Sequence, residues 1–378
     1  MAKPIKILIP DGESPVTPMV IDCLVKAKVV SLIIILPYQK PSIRYSKIVK
    51  ACLYFDSKLE PNAWFAFIQK TIETFKIDVV LPMYLNTERY SYFYQHKGSL
   101  TASVVYLPPP GIFQLANNKA TFTRWMTQHG FAHPATIFGD ELNAPSLSNG
   151  LTPDAFKQIQ FPVLLKPNLR YGGLGIYKLD TFEALVTHLK AMPNDSLQSS
   201  IIQTYIEGFD LGCGALCKDG TILVQTTQSY FGEFSTDFTT PFAIKMEYNI
   251  AVVELITNLV KLLNWSGPIN IDLRFEKSTG KIYILEINPR FWRSVTASNA
   301  AGVNFPYLTC LLALGKPFPT LQYKHIKYTP SSIALKQYMR NILQPINRNK
   351  SYYHSPISTW VADPLPKLVD MYRKIMKV

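Results

Sequence analysis

Residues 284–294, ILEINPRFWRS, decide how the rest of this chain is read. The flank KIYIL has the make-up of a buried strand. That strand ends on a carboxylate, Glu286, places an amide two residues on at Asn288, and then turns through Pro289 to Arg290 and Arg293. Strand side chains alternate faces, so Glu286 and Asn288 project the same way. A carboxylate and an amide oxygen side by side suit a hard cation such as Mg2+. The two arginines that follow are forked donors able to hold anionic oxygens. A solvated strand end with two surface arginines is the competing reading, and the stretch alone leaves both open.

The neighbouring strand sharpens the choice. In INIDLRF, residues 269–275, Asp272 alternates with Asn270 and Arg274 on one face, while Ile271, Leu273 and Phe275 take the other. Residues 267–276 and 281–287 read as a hairpin about Ser278-Thr279-Gly280, which brings Asp272 beside Glu286 and Asn288. Two carboxylates close together in a partly buried place repel unless a cation lies between them. Arg274 shares their face, either to meet substrate or as an ion-pair partner of Glu286.

A second polar interruption lies upstream. The run FPVLLK finishes a buried strand on Lys166, which needs an anionic partner there. The loop after it, residues 167–175, holds Gly172, Gly173 and Gly175. Glycine lets backbone N–H groups come close to phosphate oxygens.

Together these residues resemble the ATP-grasp superfamily over about residues 116–315, and most of all its carbamoyl-phosphate-synthetase-like branch. That branch ends its metal strand on Glu-x-Asn-Pro-Arg-x-x-Arg-Ser, which stands here as EINPRFWRS and runs on into VTASNAAGVNFPYL. The resemblance implies an α/β fold of the α+β grasp kind: a Rossmann-like parallel-sheet domain (residues 1–115), then a two-subdomain grasp fold with antiparallel sheets (116–320, divided near 199/200), then a basic extension (321–378). It implies ATP and Mg2+, or Mn2+ in its stead, as cofactors. Asp272, Glu286 and Asn288 match the metal ligands. Lys119, in NNKA at a helix start, and Lys166 match the two phosphate lysines. Gly172, Gly173 and Gly175 match the mobile loop over the phosphates. QTYIEG, residues 203–208, matches the hinge at the adenine: the backbone of Thr204 and Ile206, flanking Tyr205, would read its edge, and Glu207 or Asp210 would hold the ribose. The family often has Glu at the first hinge position, where this chain has Gln203, which puts that side chain's role in doubt. Arg290 matches an arginine that steadies the transferring phosphoryl group, supported by Arg293.

The chemistry implied is attack by a carboxylate on the γ-phosphate, giving an acyl phosphate and ADP, then displacement of phosphate by an amine. Two other classes stay open: a kinase acting on a hydroxyl, and a non-catalytic nucleotide-binding scaffold. None of the histidines or cysteines sits in a nucleophile–base pattern, so no covalent enzyme intermediate is expected.

Residues 1–115 alternate strand (5–9, 29–36, 78–82, 103–106) and helix (18–28, 63–75, 90–97), the pattern of a parallel sheet with right-handed crossovers. Ligands of such sheets lie beyond the carboxyl ends of the strands, which points to residues 11–14 and 83–88. After Pro108-Pro-Pro-Gly111, the sequence predicts a helix over 117–130 and an edge strand within 131–138. It predicts a helix over 152–159 capped by Thr152, a helix over 181–191 capped by Thr181, a strand over 200–206, a hairpin 209–217/221–229 and a helix over 248–263. Residues 230–237 join a strand to a helix and could gate the site. His129 and His133 flank Gly130 as turn residues.

Composition bounds the rest. At 378 residues with 47% hydrophobic content, the chain has room for two or three domains. The longest aliphatic run, residues 29–36, is too short to cross a bilayer. Five scattered cysteines argue against a disulfide framework, so a reducing cytoplasm is the expected setting. The net charge of +13 lies in the flanks: residues 116–320 hold 16 basic and 16 acidic side chains, whereas 321–378 hold 10 and 2. A solvated surface explains this most simply. The basic helix at 365–377 is expected to pack on its own domain, with contact to a membrane surface as the weaker alternative. Small-molecule carboxylate and amine partners are expected, no nucleic acid, and a homodimer by default.

Overall fold

The computed structural model describes residues 3–27, 30–38, 41–56, 58, 60–83, 87–142, 156–169, 172–231, 243–329, 334, 339 and 354–376. The first layer is a parallel sheet of β1 (Ile5–Ile9), β2 (Val30–Leu36), β3 (Val49–Tyr54), β4 (Val79–Val80) and β5 (Ser103–Val104), in the order β3-β2-β1-β4-β5. α1 (Thr17–Ala27), α2 (Pro61–Phe75) and α3 (Thr87–His96) are its crossovers. Alternation explains why β1 and β2 read as apolar runs broken only by Lys6 and Ser31. Ile7, Ile9, Leu32 and Ile34 pack on Val20 and Leu24 of α1. Leu8, Ile33 and Ile35 pack on Trp64, Ile68 and Phe93 of α2 and α3. Both faces are covered, and the polar residues Lys6 and Ser31 are the half-buried exceptions near the strand starts.

α4 (Pro110–Asn117) and α5 (Lys119–Gln128) lead out of this layer. Asn118 caps α5 by accepting from the N–H groups of Ala120 (2.9 Å) and Thr121 (3.2 Å), satisfying donors that a helix start leaves unpaired. Next comes an antiparallel sheet of β6 (Thr136–Phe138), β7 (Val163–Pro167), β8 (Tyr177–Leu179) and β9 (Ser200–Thr204), in the order β6-β9-β7-β8. α6 (Phe182–Ala191), capped by Thr181, and α7 (Asn194–Gln198) bury Leu185, Leu189 and Leu197 against it.

The largest sheet is antiparallel: β10 (Gly208–Lys218), β11 (Thr221–Phe231), β12 (Ala243–Met246), β13 (Gly267–Glu276), β14 (Ile282–Asn288) and β15 (Ile326–Tyr328), in the order β14-β13-β10-β11-β12-β15. α8 (Ile250–Leu262) packs Val252, Ile256 and Leu259 on the apolar side of β10 and β13. α9 (Val295–Ala300), α10 (Phe305–Ala313), α11 (Ile357–Ala362) and α12 (Leu365–Met376) follow.

The expected architecture, a parallel-sheet domain followed by two antiparallel sheets, is the one observed. Several elements were not expected, the short helices α7, α9, α10 and α11 among them. β3 is a half-buried edge strand whose polar and apolar residues mix, so it lacks a clear period. β12 and β15 are four and three residues long, too short for a pattern to register. α4 begins inside the proline cluster that reads as a linker, with a proline in its first turn. β15 lies within residues 321–378 yet pairs with β12, so the large sheet draws on the stretch set apart by its charge. Thr152 and Pro153, and residues 232–237 of the expected strand-to-helix connection, lie outside the described residues; the next described element after that connection is the strand β12, not a helix. His129 and His133 sit at the α5 end on local partners, Trp125 O and Thr127 Oγ1, as turn residues.

Candidate active site

The site begins with strand register. β13 and β14 pair so that Asn270 faces Asn288 and Asp272 faces Glu286. Four polar side chains therefore crowd one face at the end of a hairpin whose other face is core. Asn270 Nδ2 donates to Asp272 Oδ1 at 3.0 Å, and Asn288 Nδ2 donates to Asp272 Oδ2 at 2.9 Å. Protein walls Asp272 in, and that burial, with the negative charge of Glu286 beside it, pushes its carboxyl up to about 7. Glu286 behaves oppositely. Burial works to raise it, but the Lys119 ammonium at 2.9 Å, with Lys166 beyond, holds it below the usual value.

The donor chemistry fits a hard divalent cation. Both carboxylates and both amides offer oxygen atoms, and Asn270 Oδ1 is buried with no hydrogen-bond partner. No group of three or more His, Cys, Asp or Glu among the described residues could hold a metal. Asp272, Glu286 and Asn288 would thus need oxygens from a bound substrate to complete a coordination shell, as is usual where phosphates share the ion.

The turn after β14 is fixed by its apolar residues. Phe291 and Trp292 are buried in the cluster that also holds Ile7, Leu24 and Leu36 of the parallel-sheet domain. Trp292 lies flat against Gly214 of β10, where an added Cβ would come within 2.1 Å of its ring. Those two anchors leave Arg290 and Arg293 on the cavity wall. The motif is thus a charged pair spaced by an apolar pair: Phe291 is turned into the core, while Trp292, though buried, also touches the cavity beside the two arginines.

Lys166 reaches the same cavity from β7. It is 8% exposed, its Nζ donates to Gln203 Oε1 at 3.0 Å, and burial lowers its ammonium to about 8. A buried lysine that still titrates near neutrality has unfilled demand for an anion. Gln203 in turn donates to Thr136 Oγ1 at 3.1 Å, so its side chain serves Lys166 from below. Lys119 arrives from the start of α5, whose own N–H bonds the Asn168 carbonyl at 3.1 Å.

These groups surround one cavity of about 510 Å³ between the two antiparallel sheets and the parallel-sheet domain. Its walls include Lys119, Lys166, Gly172, Gly173, Thr204, Tyr205, Ile206, Asp210, Asp272, Glu286, Asn288, Arg290 and Arg293. Gly175, Gln203 and Glu207 lie outside that lining. Gly172, Gly173 and Gly175 all have left-handed backbones, with φ of 68°, 78° and 75°.

Arg274 corrects one expectation. It bonds Asp210 at 2.8 Å, the Ile206 carbonyl at 2.9 Å and the Tyr205 hydroxyl at 3.0 Å, not Glu286. Register is the cause: Arg274 stands opposite Asp210 on β10 and opposite Tyr283 on β14. Arg274 therefore braces the segment 205–210, and Tyr205 carries Lys178 4.8 Å and Arg274 5.3 Å from its ring. Lys178 also lines the cavity and escapes the sequence reading. Ser14 lines it from residues 11–14, the strand edge after β1 where a ligand was expected. Tyr230 lines it too, at the start of the stretch 230–237 that could gate the site.

Three comparisons bear on this arrangement. Residues 198–335 match the family described as "ATP-grasp in the biosynthetic pathway with Ter operon". The carbamoyl phosphate synthase large chain of Thermoanaerobacter sp. (strain X514) is 29% identical over 195 residues, covering 48% of this chain and 18% of that one. That of Archaeoglobus fulgidus is 26% identical over 216 residues, covering 52% and 20%. The chain thus spans about a fifth of the length of the synthase chains it matches. Among solved structures, N5-carboxyaminoimidazole synthetase from Staphylococcus aureus complexed with ADP gives a TM-score of 0.65 at 12% identity, over 94% of this chain and 92% of that one. The L-amino acid ligase from Bacillus licheniformis gives 0.59 at 15% identity, over 83% and 75%. Over residues 198–335 the chain thus resembles an ATP-grasp family, and it shares its α/β fold with these solved structures.

Proposed function

We propose that this protein is an ATP-dependent ligase that activates a carboxylate as an acyl phosphate, releases ADP, and joins the acyl group to an amine. One observation carries the reading: the register-matched end of β13 and β14, with Asp272 and Glu286 under two amides, faces Lys119, Lys166, Arg290 and Arg293 across one cavity. That is a concentration of positive donors and oxygen ligands suited to a magnesium-bound triphosphate.

Asp272, Glu286 and Asn288 would hold Mg2+, which when bound would neutralise charge on the phosphate oxygens. Lys119 would exchange Glu286 for a phosphate oxygen, and Lys166 would turn from Gln203 to another. The Thr204 N–H bonds the Ala135 carbonyl and the Ile206 carbonyl accepts from Arg274. The Thr204 carbonyl and the Ile206 N–H are then the groups to read an adenine edge. Asp210, oriented by Arg274, is better placed for ribose hydroxyls than Glu207, which is not on the cavity wall. Arg290 and Arg293 would hold the acid and stabilise the charge spread over the transferring phosphoryl group. The carboxylate oxygen bonds to the γ-phosphorus as the bond to ADP breaks. The amine then attacks the acyl carbon, loses a proton, and phosphate leaves.

Residues 116–199 would form the part that covers the nucleotide, 200–320 the metal-bearing part, and 1–115 would contribute to the acid or amine site. The test is ADP and phosphate release from Mg-ATP against carboxylates crossed with amines. Turnover that needs one acid and one amine, and disappears in Asp272→Ala/Glu286→Ala, is expected. A stable phosphate ester on a hydroxyl substrate, or tight nucleotide binding with no turnover on any pair, would contradict the ligase reading.

A further inference from the structure

α12 is turned inside out. Its apolar residues recur with helical spacing, and Leu365, Leu368, Met371, Tyr372, Ile375 and Met376 are all more than half exposed. Lys367, Asp370 and Arg373, on the other side, are half-buried. The helix packs on the short 3-10 turn Ser42–Tyr45 beside β3, so its polar edge meets the protein and its apolar stripe meets solvent. Isolated exposed leucines are ordinary, but a continuous stripe of this kind marks a surface that is meant to be covered.

The orientation is held from the protein side. Asp363, just before the helix and buried, accepts from the Ser46 hydroxyl and from the Lys47 N–H at 3.1 Å. Lys47 Nζ reaches the Ala362 carbonyl at 2.7 Å. The loop before β3 thus fixes the entry into α12 and sets which face looks out. Tyr38 and Tyr45, each more than two-fifths exposed, flank the same surface, and Tyr38 lies near enough to Asp370 to feel its charge.

Charge selects the occupant. Arg44, Lys47 and Lys50, all exposed, lie on the turn and strand beside α12. An apolar stripe bordered by cations and tyrosines is complementary to an anionic lipid surface, where the stripe enters the headgroup boundary and the amphipathic rings sit at its edge. A second copy would instead bring two basic surfaces together. No described helix is long and apolar enough to cross a membrane. We propose that the outward face of α12, with Tyr38 and Tyr45, docks this protein on anionic membrane surfaces. None of these residues lines the cavity, so the docking is separate from the reaction proposed above.

The test is vesicle flotation of the full chain with phosphatidylcholine alone and with roughly 30% phosphatidylglycerol added. Binding to the anionic vesicles only is expected, weakened several-fold by about 0.5 M salt. Leu368→Glu/Ile375→Glu should lower the bound fraction about tenfold or more while the melting temperature holds. If those charges disturb the fold, Leu368→Ser/Ile375→Ser should show the same loss in smaller measure. Failure to bind either vesicle, or binding undiminished in both double variants, would overturn the proposal. So would light scattering that finds a dimer split by the double variant while vesicles stay unbound, because a second copy would then be the cover.

Discussion

Two regions face each other across the cavity and are built in opposite ways. The β13–β14 end and its turn are held from every side: Asp272 accepts from two amides, Glu286 is paired with Lys119, and Phe291 and Trp292 are sunk in a core shared with the parallel-sheet domain. Across from it, Gly172 has no atom within 4 Å of where a Cβ would stand, and Leu169 and Leu174 are about 60% exposed. Charge is placed on the region that packing makes rigid. The region that packing leaves loose carries left-handed glycines and exposed leucines instead. This division suits a reaction whose charges need fixed partners and whose reactive intermediate needs shelter from water.

The sharpest way to break the comparison is at its most rigid charge. Asp272→Asn keeps the volume and removes the carboxylate. Turnover should fall at least about a thousandfold, the loss of several kcal/mol of charge stabilisation. The melting temperature without nucleotide should hold or rise, because a like-charge neighbour of Glu286 is gone. A variant that melts much earlier would make Asp272 a structural residue.

Trp292→Ala tests whether packing is what makes that side rigid. Emptying the space beside Gly214 should cost about 3–5 kcal/mol in denaturant unfolding. A cost under about 1 kcal/mol would mean that Arg290 and Arg293 are held by something else.

pH separates the regions next. Asp272 titrates at about 7 in the free protein, so cation binding below that must expel a proton and weakens about tenfold per pH unit. Lys166, at about 8, loses its charge as pH rises through that value and with it its pull on phosphate. Calorimetry of MgADP should therefore find the tightest binding between pH 7 and 8. The free protein shows the mirror image. Asp272 binds its proton more tightly folded than unfolded, so its contribution to stability falls as pH rises from 4 to 7; Lys166 binds its proton less tightly, so its contribution improves above pH 8.

The smallest effect belongs to the loose side. Gly172→Ala places a Cβ on a left-handed residue, a strain of about 1–2 kcal/mol, in open space. Melting should barely move, while turnover falls several-fold if the loop must take up a set shape over phosphate.

Much of this was legible in the sequence where a period and a polar interruption coincide. Alternation about Asp272 and Glu286 was enough to predict that they meet, and β-register delivers it. The glycine loop and Lys166 were readable for the same reason, since buried strands rarely end on lysine. Of the two readings of Arg274, the ion pair with Glu286 fails because alternation gives a face but not a partner, and only the β10 register shows Asp210 opposite it. Phe291 and Trp292 looked incidental inside EINPRFWRS, because nothing local says that a distant domain packs on them. The orphaned oxygen of Asn270 and the outward stripe of α12 depend on what surrounds them, which no periodicity records.

Hydrogen exchange with and without MgADP tests the contrast most directly. Residues 267–288 should be slow to exchange in the free protein and little changed by nucleotide, while residues 172–176 and 203–206 should gain protection on binding. Fast exchange across 267–288 in the free protein, or protection that appears there alone, would contradict a fixed charged wall facing a cover that closes on the nucleotide.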